Sequence, residues 1–153
     1  LMSYAKKNMD ADLSSALAAE ATDLRTATFR LARRIRAQRA VDRMSDGQFT
    51  VLATLKVHGP HTLGELADRE RVSAPSMTRT VNCMAEDGLV EKVPHPDDGR
   101  QVLVRATEAG EAVVRETIAQ RDSWMLAHIE GLDAAQLALL RQAADLLLEV
   151  SDA

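Results

Sequence analysis

The sequence predicts a mainly α-helical fold carrying one small β-hairpin. Helix-start signals recur along the chain: Ser45 with Gln48, Thr62 with Glu65, Ser73 ahead of Pro75, Thr107, and Asp133 with Gln136. Between them apolar residues recur at spacings of three and four, the helical period. That period fails in one place, where Val90, Val93, Val102, Leu103 and Val104 fall in two short β-prone runs around a charged turn. The 153 residues are the size of one domain, taken here as 1–153, and can bury a core without disulfides or metal.

Residues 10–41 read as one long helix. Leu13, Leu17, Ala21, Leu24, Thr28, Leu31 and Ile35 make a single apolar stripe, uninterrupted by Gly or Pro. A second helix starts at Ser45, packs through Phe49, Leu52, Ala53 and Leu55, and stops at Gly59-Pro60. Thr62 opens a short third helix with Leu63, Leu66 and Ala67 facing inward. After the tight connection Glu70-Arg71-Val72, Ser73 caps a fourth helix with Met77, Val81 and Met84 as its buried stripe and Gly88 at its end. Pro94-His95-Pro96-Asp97-Asp98-Gly99-Arg100 then turns the hairpin. Thr107 caps a helix over about 107–130, with Val113, Val114, Ile118, Met125 and Ile129 available for packing. The last helix, about 133–150, is apolar around most of its circumference through Leu137, Leu139, Leu140, Leu146, Leu147, Leu148 and Val150. A monomer this small can hardly bury such a helix, and dimerisation is the natural resolution.

Composition excludes several classes. One Trp, one Tyr and two Phe are too few for a base-stacking sheet or OB-fold. A single cysteine excludes an intramolecular disulfide and a cysteine-cluster zinc site. No apolar run approaches the roughly 18 residues of a membrane span, and no signal-peptide core opens the chain, so a soluble cytoplasmic protein with no membrane partner is expected. The formal charge of −4 conceals a division. Leu24 to Arg105 holds 14 Lys/Arg against 10 Asp/Glu, while the remainder holds 5 against 13. A basic middle between acidic ends fits a DNA binder, and equally fits chance segregation of surface charge.

Two short capped helices, a tight turn and a charged hairpin describe a winged helix-turn-helix, whose second helix enters the major groove. Its non-core residues here are Ser73, Pro75, Ser76, Thr78, Arg79, Asn82 and Cys83. Small hydroxyls allow close approach to phosphate, Arg can read guanine, and Asn can read adenine. Arg100 on the protruding turn can enter a narrow minor groove, with Asp98 holding its guanidinium. The alternatives are a surface ion pair for Asp98 and Arg100, an ion pair with Glu86 or the wing for Arg79, and local packing for Thr78.

These residues resemble the MarR family of transcriptional regulators. The resemblance lies in Leu63-Gly64-Glu65-Leu66-Ala67, in Val72 through Val81, in Asp87-Gly88-Leu89-Val90, in the wing signature Asp98-Gly99-Arg100, and in Ala106-Thr107-Glu108-Ala109-Gly110. It implies a homodimer. Residues 10–41 and 107–150 would form a helical dimerisation region, and 45–106 the winged DNA-binding lobe. Two recognition helices about 34 Å apart would meet a palindromic double-stranded operator. By resemblance Arg100 is the minor-groove contact, Asp98 its orienter, and Ser73, Pro75, Ser76, Thr78, Arg79 and Asn82 the recognition surface. The family commonly represses, and is released by a small aromatic or phenolic effector or by an oxidant.

Other candidates carry open alternatives. The arginines of the first helix read as a solvated face, or as phosphate or effector contacts through Arg36 and Arg43. Cys83 is a small filler, or a thiol whose modification would clash with DNA in a redox-responsive regulator. His58, His61 and His95 are loop histidines without a matched third metal ligand, so no metal or other cofactor is expected. Trp124 is packing or a ligand-stacking residue. An enzyme is disfavoured: there is no nucleophile with a neighbouring base, no phosphate-binding glycine loop and no metal triad. A winged helix serving only as an architectural or protein-interaction module is the remaining rival, opposed by Arg79, Asp98 and Arg100.

Overall fold

Local capping chemistry sets most helix starts in the computed structural model, which describes residues 2–96, 98 and 100–152 and side chains from Ser14 onward. Among the described residues nine elements follow in order: α1 (Met2–Arg36), α2 (Asp46–His58), β1 (His61–Thr62), α3 (Leu63–Arg69), α4 (Ala74–Glu86), β2 (Val90–Pro94), β3 (Val102–Ala106), α5 (Glu108–Ile129) and α6 (Ala134–Asp152). At α2 the Ser45 Oγ accepts from the Gln48 N–H at 3.2 Å, and the Gln48 Oε1 accepts from the Ser45 N–H at 2.8 Å. Thr62 and Glu65 repeat the exchange at α3, and Asp133 and Gln136 at α6. Each reciprocal pair satisfies two backbone donors that a bare helix start leaves open.

The chain divides into two compact units after Ala37. The first is α1, which stops at Arg36 instead of reaching residue 41. Tertiary hydrogen bonds account for the early end. In the second unit the Ala40 N–H donates to Thr117 Oγ1 at 3.1 Å, and Arg121 Nε donates to the Gln38 carbonyl at 3.2 Å. Arg39 donates to the Met44 carbonyl and pairs with Asp46. These partners replace the helical ladder and seat Met44 in the core. Most of the predicted stripe of α1 is solvent-facing: Leu17, Leu24 and Leu31 are exposed, as is Phe29, Ile35 is half-buried, and Leu13 lies outside the described side chains.

The core of the second unit is built from the inner faces of α2 to α5. Leu52, Leu66, Met77, Val81, Met84, Val90, Val104 and Val114 are all buried against one another. Met77, Val81 and Met84 are the expected stripe of α4. On α2 the buried set is Val51, Leu52, Thr54 and Leu55, with Phe49 and Ala53 only partly covered. Ile118, expected to pack on α5, is exposed.

The sheet has one strand more than the sequence suggests. β3 lies between β1 and β2, antiparallel to both, with His61 opposite Val104 and Val90 opposite Ala106. A two-residue strand is too short to show the alternation that marks longer ones. The α4–β2 turn needs Gly88 at φ +72°, a left-handed conformation costly for other residues. Gly110 sits where the first turn of α5 crosses the Leu89 carbonyl. The last helix, α6, buries no residue, and Leu139, Leu146, Leu148 and Val150 are each at least 60% exposed.

Candidate nucleic-acid interface

Ser73 caps α4 through a 3.4 Å bond from the Ser76 N–H to its Oγ, and Pro75 removes one N–H from the first turn. The buried stripe turns the opposite face outward, so Ser73, Pro75, Ser76, Arg79, Asn82 and Cys83 are exposed and Thr78 is half-buried. The Thr78 hydroxyl donates to the Ala74 carbonyl at 2.9 Å, which spends its proton locally and leaves its oxygen as an acceptor. Arg79 has no ion-pair partner among the described residues, neither Glu86 nor the wing. An unpaired guanidinium projecting from α4 has the donors to meet a phosphate or a guanine edge.

The wing departs from its expected internal geometry. Asp98 does not grip the Arg100 guanidinium. Its Oδ1 accepts from the Arg100 backbone N–H at 3.0 Å, and its Oδ2 accepts from Gln101 Nε2 at 3.0 Å. This is the local turn chemistry of aspartate, a carboxylate two residues back bonding the main chain. Further bonds close the hairpin, from Gln101 N–H to the Asp98 carbonyl and from His95 N–H to the Gln101 carbonyl. Asp98 is half-buried and Arg100 exposed, with no described partner for the guanidinium. Asp97 and Gly99 of the same segment lie outside the described residues.

One contact the sequence reading missed joins α4 to the wing. Lys92 Nζ donates to Asn82 Oδ1 at 2.5 Å, from β2 to α4. Its neighbour Glu91 points to the other face of the sheet and pairs with Arg105 at 2.8 Å. The contact depends on strand register and hairpin docking, and no spacing along the chain reports it.

The remaining candidates disperse. Arg36 is exposed in the last turn of α1. Arg43 is exposed at the rim of a cavity of about 190 Å³ lined also by Val41, Met44, Gln48, Asp87 and Leu89. Gln48 Nε2 lies 3.5 Å from Cys83 Sγ, a weak hydrogen bond to an exposed thiol. Arg69 donates to His58 Nε2 at 2.9 Å, and the His61 ring bonds the Gly59 carbonyl at 2.8 Å, so the two histidines have separate partners. Trp124 stacks on His128 with ring centres 3.9 Å apart, and Arg121 lies over the Phe49 ring at 4.1 Å. Among the described residues no helix is long and apolar enough to cross a membrane.

Comparison with known proteins places this arrangement. Residues 44–102 match the family model described as the MarR family. The chain is 42% identical over 132 residues to an uncharacterised HTH-type transcriptional regulator of Mycobacterium leprae, covering 86% of this chain and 92% of the relative. Over 63 residues it is 36% identical to the HTH-type transcriptional repressor IacR of Pseudomonas putida, covering 41% of this chain and 38% of that one. Its fold is similar to that of a MarR family protein from Bacillus stearothermophilus, with a TM-score of 0.76 at 23% identity, covering 92% of this chain and 98% of the other.

Proposed function

The chain belongs to the MarR family of transcriptional regulators, and from that premise we propose that it is a homodimeric, sequence-specific double-stranded DNA-binding repressor. The observation that carries this reading is the exposed polar face of α4, hydrogen-bonded through Asn82 and Lys92 to a wing whose Arg100 is unpaired among the described residues. In this reading residues 45–106 are the DNA-binding lobe. Ser73, Pro75, Ser76, Thr78, Arg79 and Asn82 face the major groove, Arg100 enters the minor groove, and Asp98 shapes the wing tip.

Residues 10–41 and 107–150 form the dimerisation region. The exposed leucines of α6 and the exposed apolar residues of α1 support it, because apolar side chains left in water on each helix favour a partner. A second copy carries the matching surface and gives the two-fold symmetry a palindromic operator requires. Repression is supported by the partial likeness to a repressor. Release by a small aromatic or phenolic effector is the regulation that family membership supports, and Arg36 and Arg43 are phosphate or effector contacts in this reading. The protein works in the cytoplasm and is not an enzyme.

The reading is tested with purified protein, duplex DNA from immediately upstream of its own gene, and a salt series. Tight, sequence-selective binding that weakens steeply with salt supports it. Weak binding, equal on every upstream and unrelated duplex, with a monomeric protein in solution, would overturn it.

A further inference from the structure

We infer that Asn82 and Lys92 act as one donor-rich reading head that selects guanine over adenine at the base pair it meets. This rests on the DNA-binding reading above. The side-chain oxygen of Asn82 faces Lys92 Nζ at 2.5 Å. An ammonium has three N–H donors and no acceptor, so chemistry fixes which end of the carboxamide it touches. The bond is charge-assisted, and therefore among the stronger kinds of hydrogen bond. Both side chains are exposed, and they come from different elements, α4 and β2. Their bond thus orients the Asn82 side chain and occupies one lone pair of its oxygen.

The consequence concerns which base edge the pair matches. Asparagine reads adenine with both ends: its oxygen accepts from N6 and its nitrogen donates to N7. With one lone pair of that oxygen held by Lys92, an adenine N6 amino group would have to share the oxygen and sit beside the ammonium, donor against donor. Guanine instead presents two acceptors, N7 and O6, to the Asn82 Nδ2 protons and the remaining ammonium protons. Thymine offers the single acceptor O4, and cytosine offers a donor. Guanine is the base that satisfies the most groups.

The test is selection from a randomised duplex library with the full-length wild type, Asn82→Ala, Asn82→Asp and Lys92→Met, followed by competition binding. One position of the wild-type motif, lost in Asn82→Ala, is expected to be guanine, preferred over adenine on the order of tenfold. Lys92→Met frees the oxygen and should turn that position to adenine. Asn82→Asp keeps a partner for Lys92 but removes the amide donor, and should lose the guanine; this arm decides the matter if Lys92→Met does not fold. Adenine at that position in the wild type, a motif unchanged by Asn82→Ala, or an unchanged guanine preference in a folded Lys92→Met would each overturn the proposal. Adenine in the wild type is the result if Lys92 leaves Asn82 for a phosphate. No motif from the wild type would remove the DNA-binding reading itself, whereas a motif without an Asn82-dependent position removes this proposal alone.

Discussion

Asp98 holds Arg100 by its backbone: the carboxylate Oδ1 accepts the Arg100 N–H at 3.0 Å while the guanidinium stays free of it. The aspartate therefore shapes the turn without engaging the arginine's charge. Asp98→Asn retains an acceptor for that N–H and should keep operator affinity within about threefold of wild type, since such exchanges shift a turn by well under 1 kcal/mol. Asp98→Ala removes the acceptor and should cost severalfold more. Fluorescence anisotropy on a labelled operator separates the two, and equal losses would show that the negative charge itself is what matters.

Thr117 reaches across from α5 to the Ala40 N–H, and its side chain is fully buried. Thr117→Val keeps the shape and removes the acceptor. The expected cost is about 1–2 kcal/mol, the penalty for a donor left without its partner. Chemical denaturation measures it; a stability change near zero would mean that water takes over the Ala40 N–H.

Gly110 lies against the Leu89 main chain, and a Cβ there would collide with the carbonyl oxygen and crowd the Leu52 side chain. Neither the backbone carbonyl nor the fully buried Leu52 can move freely. Gly110→Ala is expected to destabilise by about 2–3 kcal/mol despite the better helix propensity of alanine. A thermal melt equal to wild type would place the crossing further apart.

Glu65 is the exposed half of a capping box, and the hydrogen bonds it accepts from the Thr62 backbone N–H and hydroxyl lower its carboxyl below the ordinary value of 4.5. A carboxyl with a depressed folded value adds stability above its unfolded value and loses it as the pH falls through the folded one. Glu65→Gln should be slightly less stable than wild type at neutral pH, with the two melting curves converging as the pH falls through the lowered carboxyl value. A difference that stays constant with pH would mean that the box contributes without its charge.

Much of the fold was legible because its signals are local. Ser45 with Gln48, Thr62 with Glu65 and Asp133 with Gln136 fix helix starts over three residues, and Met77, Val81 and Met84 fix the face of α4. What escaped was set by distant partners. Residue 117 bonds residue 40, and residue 121 bonds residue 38, and together they end α1 early. The candidate site divides in the same way. Arg79, Asn82 and Arg100 could be named from the motif, but the Lys92 bond to Asn82 needs the docking of β2 on α4. The Asp98 contact was expected at the wrong atoms of Arg100, because a two-residue separation suits the main chain as well as the side chain.

The most direct measurement is a mobility shift of wild type and Arg100→Ala on the same upstream duplex, with the oligomeric state of each determined in parallel. The wing assignment requires selective binding by the wild type, and a loss of severalfold or more in Arg100→Ala with the dimer intact. Unchanged affinity in Arg100→Ala would contradict a minor-groove role for the wing.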